Sequence, residues 1–482
     1  MSLFNVSKLN NKALFTSKFF INGKWNYPTV NGQHSTFETI DPSSNTTLGT
    51  VADCTKNETS LAISAASDAL ENWKNTTNLE RSNYLKKLYD LILKNESDLA
   101  LICSAESGKS LKESLGEIRY GASYVRWFSE EATRINGETL AKNLNGKRMM
   151  TIRQPIGVAF AAGCTVVLKP ASETPHSALA LAILAEEAGF PEGVFNVVTC
   201  SKSNASGVGE EMCKNKTVRK ISFTGSTAVG KILMSQCSDS LKRLSLELGG
   251  NAPFIVFEDA DIKTAVKECI AAKFRNSGQT CVAANRIFVS SAIKEKFNEE
   301  LVNQVSKLKV GAGLDPSEPQ IGSLINEAGL KKVQDQVNDA KTKGGKLLLG
   351  GNKIGSVGNF FEPTILVDLN NSMDIMNNET FGPVVAIQTF ESEKEVLTLA
   401  NGTSSGLAGY FFSENISRIY RVAEKLEVGM VGVNTGLISS EFAPFGGIKE
   451  SGYGREGSSH GIEDYTNLKY ICLGIQENEL KQ

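Results

Sequence analysis

At 482 residues the chain is longer than one hydrophobic core ordinarily serves, roughly 250–300 residues, so two or three domains are expected. Hydrophobic residues make up 41% and charged residues 22%, values of a folded protein that exclude a disordered or fibrous chain. Lys and Arg number 51 against 53 Asp and Glu, and the net charge of -2 gives no ground for a nucleic-acid partner or a polybasic membrane anchor.

Residues 1–37 carry Lys8, Lys12, Lys18 and Lys24 and no Asp or Glu. That bias is weakly similar to a transit peptide, but it lacks Arg and runs into Phe19-Phe20-Ile21-Asn22-Gly23-Lys24-Trp25, which reads as a strand and turn of the fold. A cytoplasmic location is expected, with a mitochondrial one as the second reading. There is no apolar signal core, and no apolar run reaches the roughly 18–20 residues of a membrane span.

Residues 60–74 predict an amphipathic helix, with Leu61, Ala65, Ala69 and Trp73 at i, i+4 spacing, and 78–95 predict another. Residues 156–160 and 165–168 read as sheet strands, 177–188 as a helix stopped by Gly189, 193–198 as a strand, and 218–223 as a strand leading into a glycine turn and a helix. A second series follows: strand 252–257, helix 261–272, strand 285–289, helix 292–308. This rhythm predicts a parallel sheet covered by helices on both faces. Residues 149–155 and 465–473 alternate polar and apolar and suit exposed strands whose free edges seek partners, including across subunits.

Nine cysteines, an odd number with no CxxC pair, argue for reduced thiols rather than a disulfide framework or zinc site. His34, His176 and His460 lie far apart, next to no acidic motif, and read as surface or satisfied residues; no metal site is expected.

Five motifs stand out. Phe274-Arg275-Asn276-Ser277-Gly278-Gln279-Thr280-Cys281 places a cysteine after a Gly-Gln turn. If a helix opens there, its N–H groups would lower the thiol pKa. Taken alone, the pattern reads first as a buried inert cysteine and second as a nucleophile. In Leu244-Ser245-Leu246-Glu247-Leu248-Gly249-Gly250, an acid among leucines would be desolvated and raised toward general-base use, although a strand-end ion pair explains it equally. Phe223-Thr224-Gly225-Ser226-Thr227-Ala228-Val229-Gly230 has the strand–glycine turn–helix order that receives a dinucleotide pyrophosphate. Glu379-Thr380-Phe381-Gly382-Pro383 and Pro444-Phe445-Gly446-Gly447 are glycine turns that alone mean tight loops.

Together these motifs resemble the aldehyde dehydrogenase superfamily over nearly the whole chain, and the spacing of Glu247 to Cys281 fits that family. Residues 432–440, 452–457 and 460–465 are similar to its succinate-semialdehyde dehydrogenase branch. The resemblance implies an α/β aldehyde dehydrogenase fold: a Rossmann-like dinucleotide-binding domain from 1–130 and 153–246, an α/β catalytic domain from 247–446, and a small oligomerisation strand pair from 131–152 and 463–478. It implies a cysteine-thioester oxidation of succinate semialdehyde with NAD or NADP, in a homodimer or homotetramer. Cys281 would be the nucleophile and Glu247 the base for hydrolysis. Lys169 and Glu379 would hold the cofactor riboses, Phe381 would lie beside the nicotinamide, and Gly225, Ser226 and Gly230 would approach the pyrophosphate. Arg275 and Ser439 would bind the substrate's far carboxylate; Arg275 alone reads as an ordinary ion pair.

Three positions depart from the family. Ala283 stands where relatives often carry a second cysteine, so no disulfide switch is available there. Ser172 replaces a glutamate that would repel a 2′-phosphate, so NADP is expected to be accepted. Finally, Ala161 to Cys164 alone join two apparent strands, where a parallel crossover needs about a dozen residues. The family's segment at this place carries an oxyanion-donating asparagine and usually a second substrate arginine. Its loss predicts an impaired enzyme. The rival readings are a catalytically silent assembly subunit and a dehydrogenase of another small acid semialdehyde, such as glutarate semialdehyde.

Overall fold

The computed structural model describes residues 2–155 and 160–475. The alternation read from the sequence is present, with helices Lys56–Trp73, Asn78–Lys94, Pro175–Glu187, Ile262–Phe274 and Lys294–Val305. The start of the second shows why the chain turns helical there. The Thr77 hydroxyl accepts from the Glu80 N–H at 3.2 Å, while Glu80 reaches back to the Thr77 N–H at 2.6 Å, so two otherwise unpaired donors are satisfied together.

Seven strands between residues 252 and 433 form the main sheet, in the order Lys346–Leu349, Thr364–Val367, Val384–Phe390, Ala284–Ser290, Ala252–Val256, Ala408–Phe412, Met430–Val433. All neighbours are parallel except the first pair. Successive side chains point to opposite faces, so Phe254, Ile287 and Tyr410 enter one core while Ile255, Phe288 and Phe411 enter the other. Two buried faces explain the continuous apolar runs that mark these strands in the sequence.

The expected single parallel sheet on the N-terminal side is divided among the described residues. Lys24–Asn26, Phe19–Ile21, Phe195–Val197 and Val166–Leu168 make a four-stranded sheet; Lys220–Thr224, Arg243–Glu247 and Gly452–Tyr453 make a separate one. Among the described residues, Val166–Leu168 and Lys220–Thr224 each have a strand neighbour on one side only. The strand predicted at 156–160 lies outside the described residues except for Phe160, which opens a 3-10 turn, Phe160–Ala162, instead. Four residues from Ala161 to Cys164 leave no length for a crossover helix, and the join folds inward. Ala161, Ala162 and Cys164 are buried, the Phe160 ring meets Phe190 and Phe195 edge-on, and Arg81 Nε donates to the Ala161 carbonyl at 3.0 Å.

The two exposed stretches are strands, Lys147–Pro155 and Thr466–Gly474. They pair with each other, antiparallel, from Thr466 opposite Pro155 to Gly474 opposite Lys147, so part of the edge hydrogen bonding expected to pair between subunits is met within the chain. All nine cysteines are free thiols, and no helix among the described residues is long and apolar enough to cross a membrane.

Candidate active site

Cys281 lies in a turn between the 3-10 segment Arg275–Gly278 and strand Ala284–Ser290. No helix opens at it, which corrects the sequence expectation. After helix Ile262–Phe274 the chain reverses through two consecutive left-handed residues, Asn276 (φ 51°) and Ser277 (φ 57°), a conformation that costs about 1–2 kcal/mol each when a Cβ is present. Hydrogen bonds from several elements hold it. The Asn276 N–H donates to the Glu113 carboxylate at 2.7 Å, Ser277 Oγ to the Gly322 carbonyl at 2.9 Å, and the Ile325 N–H to Gln279 Oε1 at 2.9 Å. Gly278 completes the turn, since a Cβ there would stand 2.1 Å from the Gly382 carbonyl oxygen.

The thiol is not activated in the way the sequence suggested. Burial, then the charges of Glu379 and Glu247, push its pKa up to about 11, while Arg275 and its own backbone N–H pull the other way. Without a helix start at Cys281, no dipole offsets the two carboxylates.

Glu247 ends strand Arg243–Glu247, is 6% exposed, and has a buried Oε2 without a hydrogen-bond partner among the described residues. Burial, with Glu456 and Asp464 adding to it against Arg455, raises its pKa to about 8. Gly249 and Gly250 then draw three parts together. A Cβ at Gly250 would lie 2.5 Å from the Cys281 carbonyl oxygen, and one at Gly249 would lie 3.1 Å from Glu379 Oε2. Glu379 also accepts from the Gly250 N–H at 3.1 Å. Phe381, 36% exposed at φ 56°, adjoins the Gly382 carbonyl that packs on Gly278, which anchors it beside the cysteine turn.

Arg275 is half-buried, and its guanidinium makes no hydrogen bond or ion pair among the described residues, although its charge acts on Cys281, Tyr410 and Glu113. Ser439 is half-buried on the loop after Met430–Val433; its neighbour Ile438 packs against the same core as Cys281, but no hydrogen bond joins it to Arg275.

A second group sits toward the N-terminal sheet. Lys169 follows strand Val166–Leu168 and donates to the Pro170 carbonyl at 2.6 Å. Ser172 Oγ donates to Glu173 at 3.0 Å, and Glu173 pairs with Lys202 at 2.8 Å. Burial alone would raise Glu173, but Lys202 and Ser172 outweigh it and hold the carboxyl below its usual range. Asn326 Nδ2 donates to Glu173 at 3.2 Å, next to the Ile325 N–H that holds Gln279, so the two groups share one loop. Gly225 faces the Phe223 ring, where a Cβ would approach to 2.5 Å; Ser226 caps helix Thr227–Cys237; and Gly230 lets that helix close on Leu248, where a Cβ would sit 2.6 Å from Leu248 Cδ2.

Sequence reasoning missed Glu113, Lys202, Lys273 and Arg455. Glu113 stands three residues after Ser110, which caps helix Leu111–Glu131 by accepting the Glu113 N–H at 3.3 Å; that helix-start spacing conceals the long-range bond to Asn276. Lys273 is fully buried beneath the turn, donates to Asn285 at 3.0 Å, and is lowered by burial to about 7.

A half-buried cysteine beside a buried carboxylate, on an α/β sheet that abuts a second αβ layer, is the layout of the cysteine-dependent dehydrogenases. The chain belongs to the aldehyde dehydrogenase family: the family's signature matches residues 29–161 and 158–471, nearly the whole chain. The two matched stretches meet at the short join. The chain is 49% identical over 476 residues to the mitochondrial succinate-semialdehyde dehydrogenase of Rattus norvegicus, covering 94% of this chain and 90% of the relative. It is 48% identical over 488 residues to the glutarate-semialdehyde dehydrogenase of Pseudomonas putida, covering 97% and 100%. That alignment is longer than the 482 residues of this chain, so the relative holds residues with no counterpart here. The crystal structure of an Escherichia coli NADP-dependent enzyme superposes with a TM-score of 0.94 at 48% identity, covering 97% and 100%.

Proposed function

We propose that this chain oxidises succinate semialdehyde to succinate through a thioester on Cys281, with a nicotinamide dinucleotide as acceptor. The observation that carries this reading is Arg275. A half-buried guanidinium without a partner among the described residues, on the turn that presents the thiol, suits a substrate with an aldehyde at one end and a carboxylate at the other. Cys281, as thiolate, attacks the carbonyl carbon, and its own backbone N–H, which favours the thiolate, would be one donor for the resulting oxyanion. The chemistry supplied by a bound dinucleotide is acceptance of a hydride. Glu247 then takes a proton from the water that cleaves the thioester. With a pKa of about 8 it is a stronger base than an ordinary carboxylate.

The chain's residues fit such a cofactor. Ser226 caps a helix N-terminus at the glycine turn, and Gly225 and Gly230 leave room for the Phe223 ring and the Leu248 side chain that pack beneath it. Lys169 and Glu379 would hold the riboses, and Phe381 would lie beside the nicotinamide. We assign NADP as an accepted form because Ser172 carries no charge and Lys202 neutralises Glu173, which removes the repulsion a 2′-phosphate would otherwise meet. The oligomer contact we assign to the ribbon Lys147–Pro155 with Thr466–Gly474, where Leu468, Tyr470 and Leu473 remain exposed.

Two other readings have specific support. The relative named for glutarate semialdehyde favours a substrate one carbon longer. The divided sheet favours a catalytically silent assembly subunit, since the missing segment also removes the family's asparagine donor, and one lost oxyanion donor typically costs roughly 10²–10³-fold in turnover. The test is to follow reduced cofactor formed from each semialdehyde with NAD and with NADP, using the purified chain and Cys281→Ala. Turnover that disappears in the variant supports the proposal, turnover that persists overturns it, and a folded chain inert toward both aldehydes favours the assembly subunit.

A further inference from the structure

Glu113 stands outside the chemistry described so far, yet it is the one carboxylate hydrogen-bonded to the backbone of the cysteine turn among the described residues. It comes from the first turn of helix Leu111–Glu131, an element remote in sequence from Cys281. Its bond to the Asn276 N–H, at 2.7 Å, falls on the first of the two left-handed residues, where the backbone most needs an outside tie. The same carboxylate feels the Arg275 guanidinium, which in turn acts on Cys281 and Tyr410. Arg275 is joined through its own carbonyl to the Asn276 nitrogen that Glu113 holds. Lys109 is the other cation facing Glu113, and it is occupied by Glu117. Burial raises the Glu113 pKa, and the Asn276 bond, Lys109 and Arg275 work against that rise.

We propose that Glu113 is a positioning residue for this site: its carboxylate ties down the Asn276–Ser277 reversal and aims Arg275, and so sets where a substrate carboxylate sits relative to Cys281. It touches no reacting atom. The proposal rests on the reading of Cys281 as nucleophile and Arg275 as carboxylate binder, and its test separates the two.

The measurement is the rate of Cys281 alkylation by iodoacetamide as a function of pH, read by peptide mass mapping, with and without succinate as a protecting ligand and with butyrate as the control. It requires no turnover, so it works on an impaired enzyme. The proteins are the full chain, Glu113→Ala and Glu113→Gln, with Tm recorded for each. The charged groups facing the thiol, Glu379, Glu247 and Arg275, are common to all three. In Glu113→Ala the untied turn admits water, so the alkylation midpoint falls from about 11 toward the ordinary thiol value of 9.0, and succinate protection is lost. Glu113→Gln keeps an acceptor for the Asn276 N–H and loses the charge. It retains both the midpoint and succinate protection, because the tie to Asn276 persists and losing an anion near Arg275 adds no repulsion toward succinate. If both variants keep the wild-type midpoint and protection and differ only in Tm, Glu113 merely stabilises its helix and the proposal is overturned. If succinate protects the wild-type chain no better than butyrate does, the assignment of Arg275 falls, and the midpoint comparison still decides whether Glu113 positions the thiol.

Discussion

Replacing Glu247 by Gln removes a carboxyl group held in a place that resists its ionisation. Below pH 4.5 the group is protonated in both the folded and the unfolded chain and favours neither. As pH rises from 4.5 toward 8, the unfolded chain releases the proton while the folded chain keeps it, so folding is weakened step by step. A rise from 4.5 to about 8 corresponds to about 5 kcal/mol at 1.36 kcal/mol per pH unit. Water entering on ionisation returns part of this, which leaves about 2–5 kcal/mol. Gln cannot ionise and keeps the shape. Glu247→Gln is therefore expected to match the wild type in urea unfolding near pH 4.5 and to exceed it by about 2–5 kcal/mol above pH 8. Glu106, Glu113 and Glu379, whose pKa values are also raised, do not act on Glu247 and cancel between the two proteins, whereas the repulsion between Glu456 and Glu247 is lost in the variant and is part of the difference. A stability difference that stays flat across this range would refute the reasoning. The same variant separates the two chemical steps, because it should give one burst of reduced cofactor and then stall, the base acting after the thioester has formed.

Arg275→Leu should raise KM for succinate semialdehyde about tenfold or more while leaving butanal within about threefold, the loss of a charge-assisted contact to one substrate only; steady-state kinetics on both aldehydes checks it. Ser172→Glu should depress kcat/KM with NADP well below that with NAD, and Lys202→Ala should act in the same direction by leaving Glu173 unpaired; equal effects on both cofactors would place the 2′-phosphate elsewhere. Restoring a family-type segment between Phe160 and Ala161 should raise both Tm and turnover, the latter by roughly 10²–10³-fold if the missing donor limits the rate. Turnover within tenfold of the original chain would show that the donor is dispensable.

Glu247 was legible because its environment is local: leucines on both sides and two glycines after it already imply a desolvated strand end. Cys281 was legible as a residue and not as an environment. The Gly278-Gln279 pair resembles a helix start, and nothing in the letters announces that Asn276 and Ser277 both turn left-handed, since that conformation is imposed by Glu113, Gly322 and Ile325 from elsewhere in the chain. The strands near 150 and 470 were legible from their alternation, but alternation says which face is wet and not which strand is the neighbour, and they turned out to be each other's. The expectation at Ser172 rested on the charge it lacks. The Glu173–Lys202 pair beside it spans two elements and leaves no local pattern.

The division of the N-terminal sheet among the described residues places Glu247 and the strand that leads into Lys169 in separate sheets. The strand that ends in Glu247 is bonded to Lys220–Thr224 on one side and to Gly452–Tyr453, from near the C-terminus, on the other. The strand before Lys169 is bonded to Phe195–Val197 and through it to Phe19–Ile21, near the N-terminus. Among the described residues the two share no ladder of hydrogen bonds, so loosening of one does not have to propagate to the other through them. Amide exchange would then show two protection levels, one for the strands beside Glu247 and one for those beside Lys169. A stress that frays the N-terminal half would first be felt as weakened cofactor affinity, while the thiol and its carboxylate neighbours stay in register.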